Sequence, residues 1–210
     1  MSKQTPGKPV IGIVGGIGAG KSTVAAELVR LGCPLVDGDA VGHALLAEED
    51  VRSEVRERWG QGAFAPDGSV DREALARIVF SDAGELEALN RILHPRIRKR
   101  MQEQIARSRG DPSAPAVVVD AAVLFEAGWD DLCTHLVFVE APGPARARRA
   151  RQARGWEPAV WRSREKMQIS LDKKAARCHH MVRNSSSVGR LREQVRGLFS
   201  QIVHAADCLR

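Results

Sequence analysis

The chain has 210 residues, 43% of them hydrophobic, with no Tyr, four Trp and five Phe, so its core must be built from Val, Leu, Ile and Ala. That length suits one α/β domain carrying an insertion or two, and no stretch approaches the ~20 apolar residues of a membrane-spanning helix. The net charge is +6, but eleven basic and three acidic residues fall between positions 142 and 177, leaving the rest of the chain at −2. A surplus so localised fits a clamp over polyphosphate better than a broad nucleic-acid surface.

Residues 1–9 are polar, without the apolar run of a signal peptide, and read as a floppy leader to the first strand. Val10–Val14, short and β-branched, reads as a buried strand. Gly15 to Ser22 then spell G-x-x-x-x-G-K-[ST], the phosphate-binding P-loop. In such a loop the glycines let backbone amides curl around phosphate, Lys21 reaches the β/γ oxygens and the Ser22 hydroxyl ligates Mg²⁺. Val24, Leu28 and Leu31 mark one face of a following helix, which Gly32 can close.

Four further runs read as strands: 34–37, 116–120, 135–140 and, more weakly, 180–184. Runs apolar on both faces and alternating with helices imply a parallel sheet covered on both sides. The segment from Asp39 to Pro115 is too long for a plain crossover. It holds helical patterns at Leu75/Ile78/Val79, at Leu86/Leu89/Leu93 and at Ile97/Met101/Ile105, the last two interrupted by His94-Pro95. Asp111–Pro115 has the composition of a linker. Positions 40–115 are therefore expected to form a helical subdomain and 142–177 a second, basic helical insertion, both within one domain spanning 1–210. A last helix is expected over 188–203, with Leu191, Val195, Leu198 and Ile202 on one face.

Cys33, Cys133, Cys178 and Cys208 show no C-x-x-C spacing and read as reduced thiols of a cytoplasmic protein. Cys178-His179-His180 has the residue types of a metal site, but strand neighbours point to opposite faces and no partner pair lies nearby.

Phosphoryl transfer needs a metal, cations to neutralise the moving charge, and a group to take the acceptor hydroxyl's proton. The last points to Asp37-Gly38-Asp39, at the end of a strand expected to neighbour the P-loop strand. On extended chain both carboxylates would face the cleft, while Asp37 as a helix N-cap is the plainer alternative. Asp120 is a candidate metal-side acid and Glu126 follows it in the next loop; either is also readable as a loop residue or cap. Among the arginines, most are expected on solvated faces. Arg154, before Gly155-Trp156 at a helix end, ranks first as a phosphate ligand and Arg149 second. His94 reads more as a helix-terminal hydrogen-bonding residue than as a base.

Taken together these residues resemble the dephospho-CoA kinases, almost end to end. The P-loop appears in the family's form as Gly15–Thr23, its V-[IV]-D-A-D as Leu35–Asp39, and its D-R-x-x-L block as Asp71-Arg72 through Phe80. The L-[NE]-x-[IL]-x-H-P block runs from Leu89 to Pro95, and P-L-L-[FLV]-E is similar to Val123–Glu126 with Ala122 where Pro is usual. R-G-[WS], a later Gln and the final [VI]-x-N match Arg154–Trp156, Gln168 and Val182–Asn184. The family's Ala-Asp before the last strand is Cys178-His179 here.

The resemblance implies a P-loop kinase fold, an α/β architecture with a five-stranded parallel sheet flanked by helices, a helical CoA-side subdomain and a lid. It implies ATP-dependent phosphorylation of the ribose 3′-hydroxyl of dephospho-CoA to CoA and ADP, the last step of coenzyme A biosynthesis, with Mg²⁺. On it, Asp39 is the acceptor-side base, with Lys21 and Arg154 the other catalytic groups. Gly16, Ile17, Gly18, Ala19, Gly20, Lys21, Ser22 and Thr23 hold the nucleotide, with Asn184 near the adenine and Ser22 on the metal. Asp39, His94, Glu126 and Arg149 are the expected substrate-binding residues. The expected partners are ATP and dephospho-CoA, without nucleic acid or membrane, and a monomer is expected. The rivals are a P-loop kinase acting on another small molecule, such as a nucleoside or sugar, and a nucleic-acid-associated ATPase. The chain has no N-K-x-D guanine signature.

Overall fold

A computed structural model describes residues 7–207; most of the expected leader and Cys208 lie outside the described residues. One compact unit comprises the chain up to Asp37 together with residues from Gln104 onward. It holds a five-stranded sheet: β1 (Val10–Gly15), β2 (Leu35–Asp37), β3 (Val117–Asp120), β4 (His135–Glu140) and β5 (His180–Arg183). The spatial order is β2-β3-β1-β4-β5 and every pairing is parallel. The strands stand where the apolar runs predict, because only positions covered on both faces tolerate continuous Val and Ile. The expectation that the Asp37 strand neighbours β1 is corrected: β3 lies between them. A three-residue strand with its first and last side chains exposed serves as the sheet's edge.

Helices α1 (Lys21–Arg30) and α9 (Val188–Asp207) pack together on one face. Ile11 and Ile13 from β1, Val24 and Leu28 from α1, and Leu191, Val195 and Ile202 from α9 form a single buried cluster. Each such side chain contributes about 1.5–3 kcal/mol of burial. Glu27 interrupts the apolar face of α1. It is 5% exposed, and its carboxylate meets Arg192 and Arg196 of α9 at 3.5 Å and Arg30 at 3.1 Å. The α1 C-terminus is closed as expected. Gly32, at φ +89°, donates to Val29, and Cys33 donates to Leu28, the paired bonds of a Schellman motif.

The second unit, Gly38–Glu103, is helical. It contains α2 (Gly38–Leu45), α3 (Glu49–Trp59), α4 (Arg72–Ser81) and most of α5 (Ala83–Gly110). Asp71 caps α4 by accepting from the amides of Glu73 and Ala74. Two expectations are corrected here. Asp39 is not on extended chain, since it lies in the first turn of α2, which begins directly after Asp37. Pro95 does not separate two helices: α5 runs through it. Proline removes an amide and crowds the carbonyls one turn back, and beside it the Arg96 guanidinium donates to the Ile92 carbonyl at 2.7 Å. Apolar contacts hold the helix together across the defect, with Ile97 and Met101 buried.

The basic stretch forms three helices of the first unit: α6 (Gly143–Arg154), α7 (Pro158–Lys166) and α8 (Leu171–Ala176). Gly155, at φ +66°, ends α6.

Candidate active site

The loop between β1 and α1 is shaped by contacts on its outer side. Gly18 has φ +76°, and a Cβ there would stand 2.3 Å from the Arg146 carbonyl of α6. Gly20, the α1 N-cap residue at φ +100°, would place a Cβ 2.2 Å from the Asn184 side-chain nitrogen. Only glycine satisfies both conditions. Three consecutive carbonyls of the loop accept hydrogen bonds from side chains elsewhere in this unit. Ile17 accepts from the Trp161 indole at 3.5 Å, Gly18 from Arg149 at 3.3 Å and Ala19 from the Asn184 Nδ2 at 2.8 Å. The three carbonyls are thus engaged outside the loop, which leads into the N-terminus of α1, the end of a helix whose dipole favours anions. Lys21 lies back along the loop and donates to the Gly15 carbonyl at 3.3 Å. Ser22 and Thr23 follow in the first turn of α1.

Asn184 is buried at 6% exposure just beyond β5. Its Nδ2 donates to Ala19 while Arg149 donates to both its side-chain and main-chain oxygens at 3.2 Å. The structure therefore shows Asn184 as a brace behind the P-loop, and Arg149 as a second brace joined to the first.

Most basic residues of 142–177 are exposed, as expected; Arg149 and Arg164 are half-buried, and two that the sequence does not single out are buried. Arg146 is 6% exposed, stacks on Trp161 at 5.2 Å, pairs with Glu165 and donates to the Ala141 carbonyl. Lys174 is buried against Glu126. Arg154 is the last residue of α6 and lies 4.8 Å from the Trp156 ring, while Arg164 of α7 lies 4.6 Å from the same ring. Burial first, and the Arg154 charge second, lower Arg164 below the usual arginine value. Two guanidinium groups gathered on one indole form a concentration of positive charge suited to anions.

Among the carboxylates, Asp37 of β2 is the register partner of Asp120 of β3, and Asp120 is that of Ile13 in β1. Both acids thus end strands at the carboxyl edge of a parallel sheet, where such sheets bind ligands. Glu126 accepts from the Ile169 amide and pairs with Lys174, each at 2.9 Å. Ala122, in place of the family's proline, offers its carbonyl to Gln168 at 3.3 Å. Asp39 and His94 belong to the helical unit. His94 is in the middle of α5 rather than at a helix end, and burial pushes its pKa down.

At the opposite, amino end of β4 and β5, the imidazoles of His135, His179 and His180 cluster with ring centroids 5.6–6.4 Å apart. His179, where the family has Asp, accepts the Leu136 amide on Nδ1 at 2.9 Å. An acceptor for β4 is therefore retained at that position. Among the described residues, no group of His, Cys, Asp or Glu has the arrangement of a metal centre.

The chain that carries this P-loop and sheet has relatives. The model of the dephospho-CoA kinase family matches residues 9–189. A dephospho-CoA kinase of Symbiobacterium thermophilum is 38% identical over 187 residues, covering 89% of this chain and 78% of the relative. A crystal structure from Thermus thermophilus superposes with a TM-score of 0.78 at 33% identity, covering 93% of this chain and 98% of that one. A shikimate kinase of Acinetobacter baumannii, at TM-score 0.55 and 17% identity over 94% of each chain, shares the fold alone. With its P-loop, its parallel sheet and a family match spanning most of its length, the chain belongs to the dephospho-CoA kinase family.

Proposed function

We propose that the protein transfers the γ-phosphoryl group of ATP to the ribose 3′-hydroxyl of dephospho-CoA, releasing CoA and ADP. The observation that carries this reading is the braced P-loop, in a chain whose family match runs across both of its units. A loop whose carbonyls are held from behind presents its amides to phosphate without reorganising during the reaction.

Roles follow from position and chemistry. Gly16 to Thr23 cradle the triphosphate, and the Lys21 ammonium reaches the β/γ oxygens once drawn from the Gly15 carbonyl. Asp39 accepts the proton of the attacking hydroxyl, as the carboxylate just past the β2 edge. Arg154, paired with Arg164 on Trp156, neutralises phosphate charge from a basic lid over 142–177. The helical insertion over 40–115 takes the acceptor's bulk, with His94 among its candidate contacts. Glu126 and Arg149 serve by holding the walls of the site, given the partners that they already have.

Mg²⁺ fits the residues present: Ser22 opens α1, and Asp120 with Asp37 supplies hard oxygen donors at the sheet edge. When bound, the ion would neutralise phosphate charge as it develops during transfer. The protein is expected to act as a cytoplasmic monomer without nucleic acid. No helix among the described residues is long and apolar enough to cross a membrane.

Steady-state ADP release over a panel of dephospho-CoA, nucleosides, sugars and shikimate tests the acceptor. Dephospho-CoA should give the highest kcat/KM. A preference for any other acceptor overturns the proposal in favour of a different small-molecule kinase.

A further inference from the structure

Beside the P-loop lies a buried charge pair, Lys174 and Glu126, whose lysine has been given no role above. Lys174, on α8, is 2% exposed, and its Nζ sits 2.9 Å from Glu126 Oε1 and donates to Gln168 Oε1 at 3.1 Å. The same carboxylate oxygen accepts the Ile169 amide, and Gln168 in turn donates to the Ala122 carbonyl. Arg177, one turn on, adds a bond of 2.7 Å to Asp130 and stacks on Phe125 at 4.0 Å.

Stability alone does not account for the pair. Removing an ammonium and a carboxylate from water costs several kcal/mol each, and well-packed apolar residues in their place are often neutral or better. What the pair supplies is geometry. One end fixes the loop that follows Asp120 at the carboxyl edge of β3. The other fixes residues 168–171, and a Cβ on Gly16 would stand 3.1 Å from the Leu171 side chain. The network therefore spans from the sheet-edge carboxylate to the start of the P-loop.

We infer that Lys174 is a positioning residue for phosphoryl transfer, acting through Glu126 and Gln168 to set the Asp120 loop and the P-loop in mutual register. The inference rests on the kinase activity proposed above. A shift of about 1 Å at a reacting centre costs on the order of 100-fold in rate. The effect should therefore fall on kcat rather than on substrate affinity.

The test compares Lys174→Met with the double variant Glu126→Gln/Lys174→Met, by thermal unfolding and by kcat and KM for both substrates well below the melting temperature. Lys174→Met should lower Tm, by stranding the Glu126 charge, and lower kcat roughly 30- to 100-fold, with each KM within about threefold. The double variant buries no charge, so its Tm should return towards wild type while kcat stays at least about tenfold down. Recovery of kcat together with Tm would show a purely structural pair and overturn the inference, as would wild-type kcat in Lys174→Met. If the single variant does not fold, the double variant decides alone. Should the wild-type protein prefer another acceptor, the acceptor assignment fails, and the same comparison on that acceptor still tests Lys174.

Discussion

Replacing Gly18 by Ala tests whether α6 rests on the P-loop as described. The new Cβ meets the Arg146 main-chain carbonyl at 2.3 Å, an atom that cannot swing aside as a side chain would. Two costs combine: about 1–2 kcal/mol for an L-residue in the left-handed region, and about 1–3 kcal/mol for overpacking. Their total, roughly 2–5 kcal/mol, corresponds to a Tm loss of about 4–20 °C for a chain of this size. Gly155→Ala is the internal control. It sits at φ +66° at the end of the same helix with nothing within 4 Å of the added Cβ, so only the backbone cost of about 1–2 kcal/mol applies. Calorimetry of both variants, beside ADP release at saturating substrate, measures the difference. If Gly18→Ala melts no lower than Gly155→Ala, α6 does not press on the loop and the bracing argument fails.

Asp39→Asn should retain ATP binding by calorimetric titration while losing about 10²–10⁴ in kcat, the usual contribution of a general base; near-normal turnover would remove Asp39 from that role. Asn184→Ala takes away the hydrogen bond to Ala19 and an acceptor for Arg149, and should cost about 1–3 kcal/mol in stability and raise KM for ATP. Burial, together with neighbouring imidazoles, holds His135 and His180 below the ordinary histidine pKa of 6.5. The folded state then takes up protons later than the unfolded chain, so stability should fall as pH drops below about 6.5 and level off only beneath the lowered values. Replacing His135 with Asn should flatten the Tm profile between about pH 7 and 5; an unchanged slope would place the acid sensitivity elsewhere.

The parts of this molecule that the sequence discloses are those governed by local rules. β1, the P-loop and α1 follow from β-branched runs, a glycine spacing and a helical period, each visible within twenty residues. The family blocks point to Asp39, Arg154 and Asn184, to which the expected roles are assigned by resemblance; the hydrogen bond of Asn184 to the Ala19 carbonyl is not among them. What stays hidden is set by non-local pairing. Strand order is not written in any one strand, so β3 between β1 and β2 could not be read, nor could the opposition of Asp37 and Asp120. Pro95 obeys helix-breaking propensity in the sequence, yet tertiary packing carries α5 through it. Arg146 and Lys174 look like two more cations in a basic stretch. Their burial depends on Trp161 and Glu165 in one case and on Glu126 and Gln168 in the other.

The central claim is that the phosphoryl group ends on the 3′-hydroxyl of dephospho-CoA. Incubating the purified protein with ATP, Mg²⁺ and dephospho-CoA, then identifying the product by mass and by phosphorus NMR, tests it directly. The account predicts CoA phosphorylated at the 3′ position, formed mole for mole with ADP. Unchanged dephospho-CoA, or phosphate at any other hydroxyl, would contradict it.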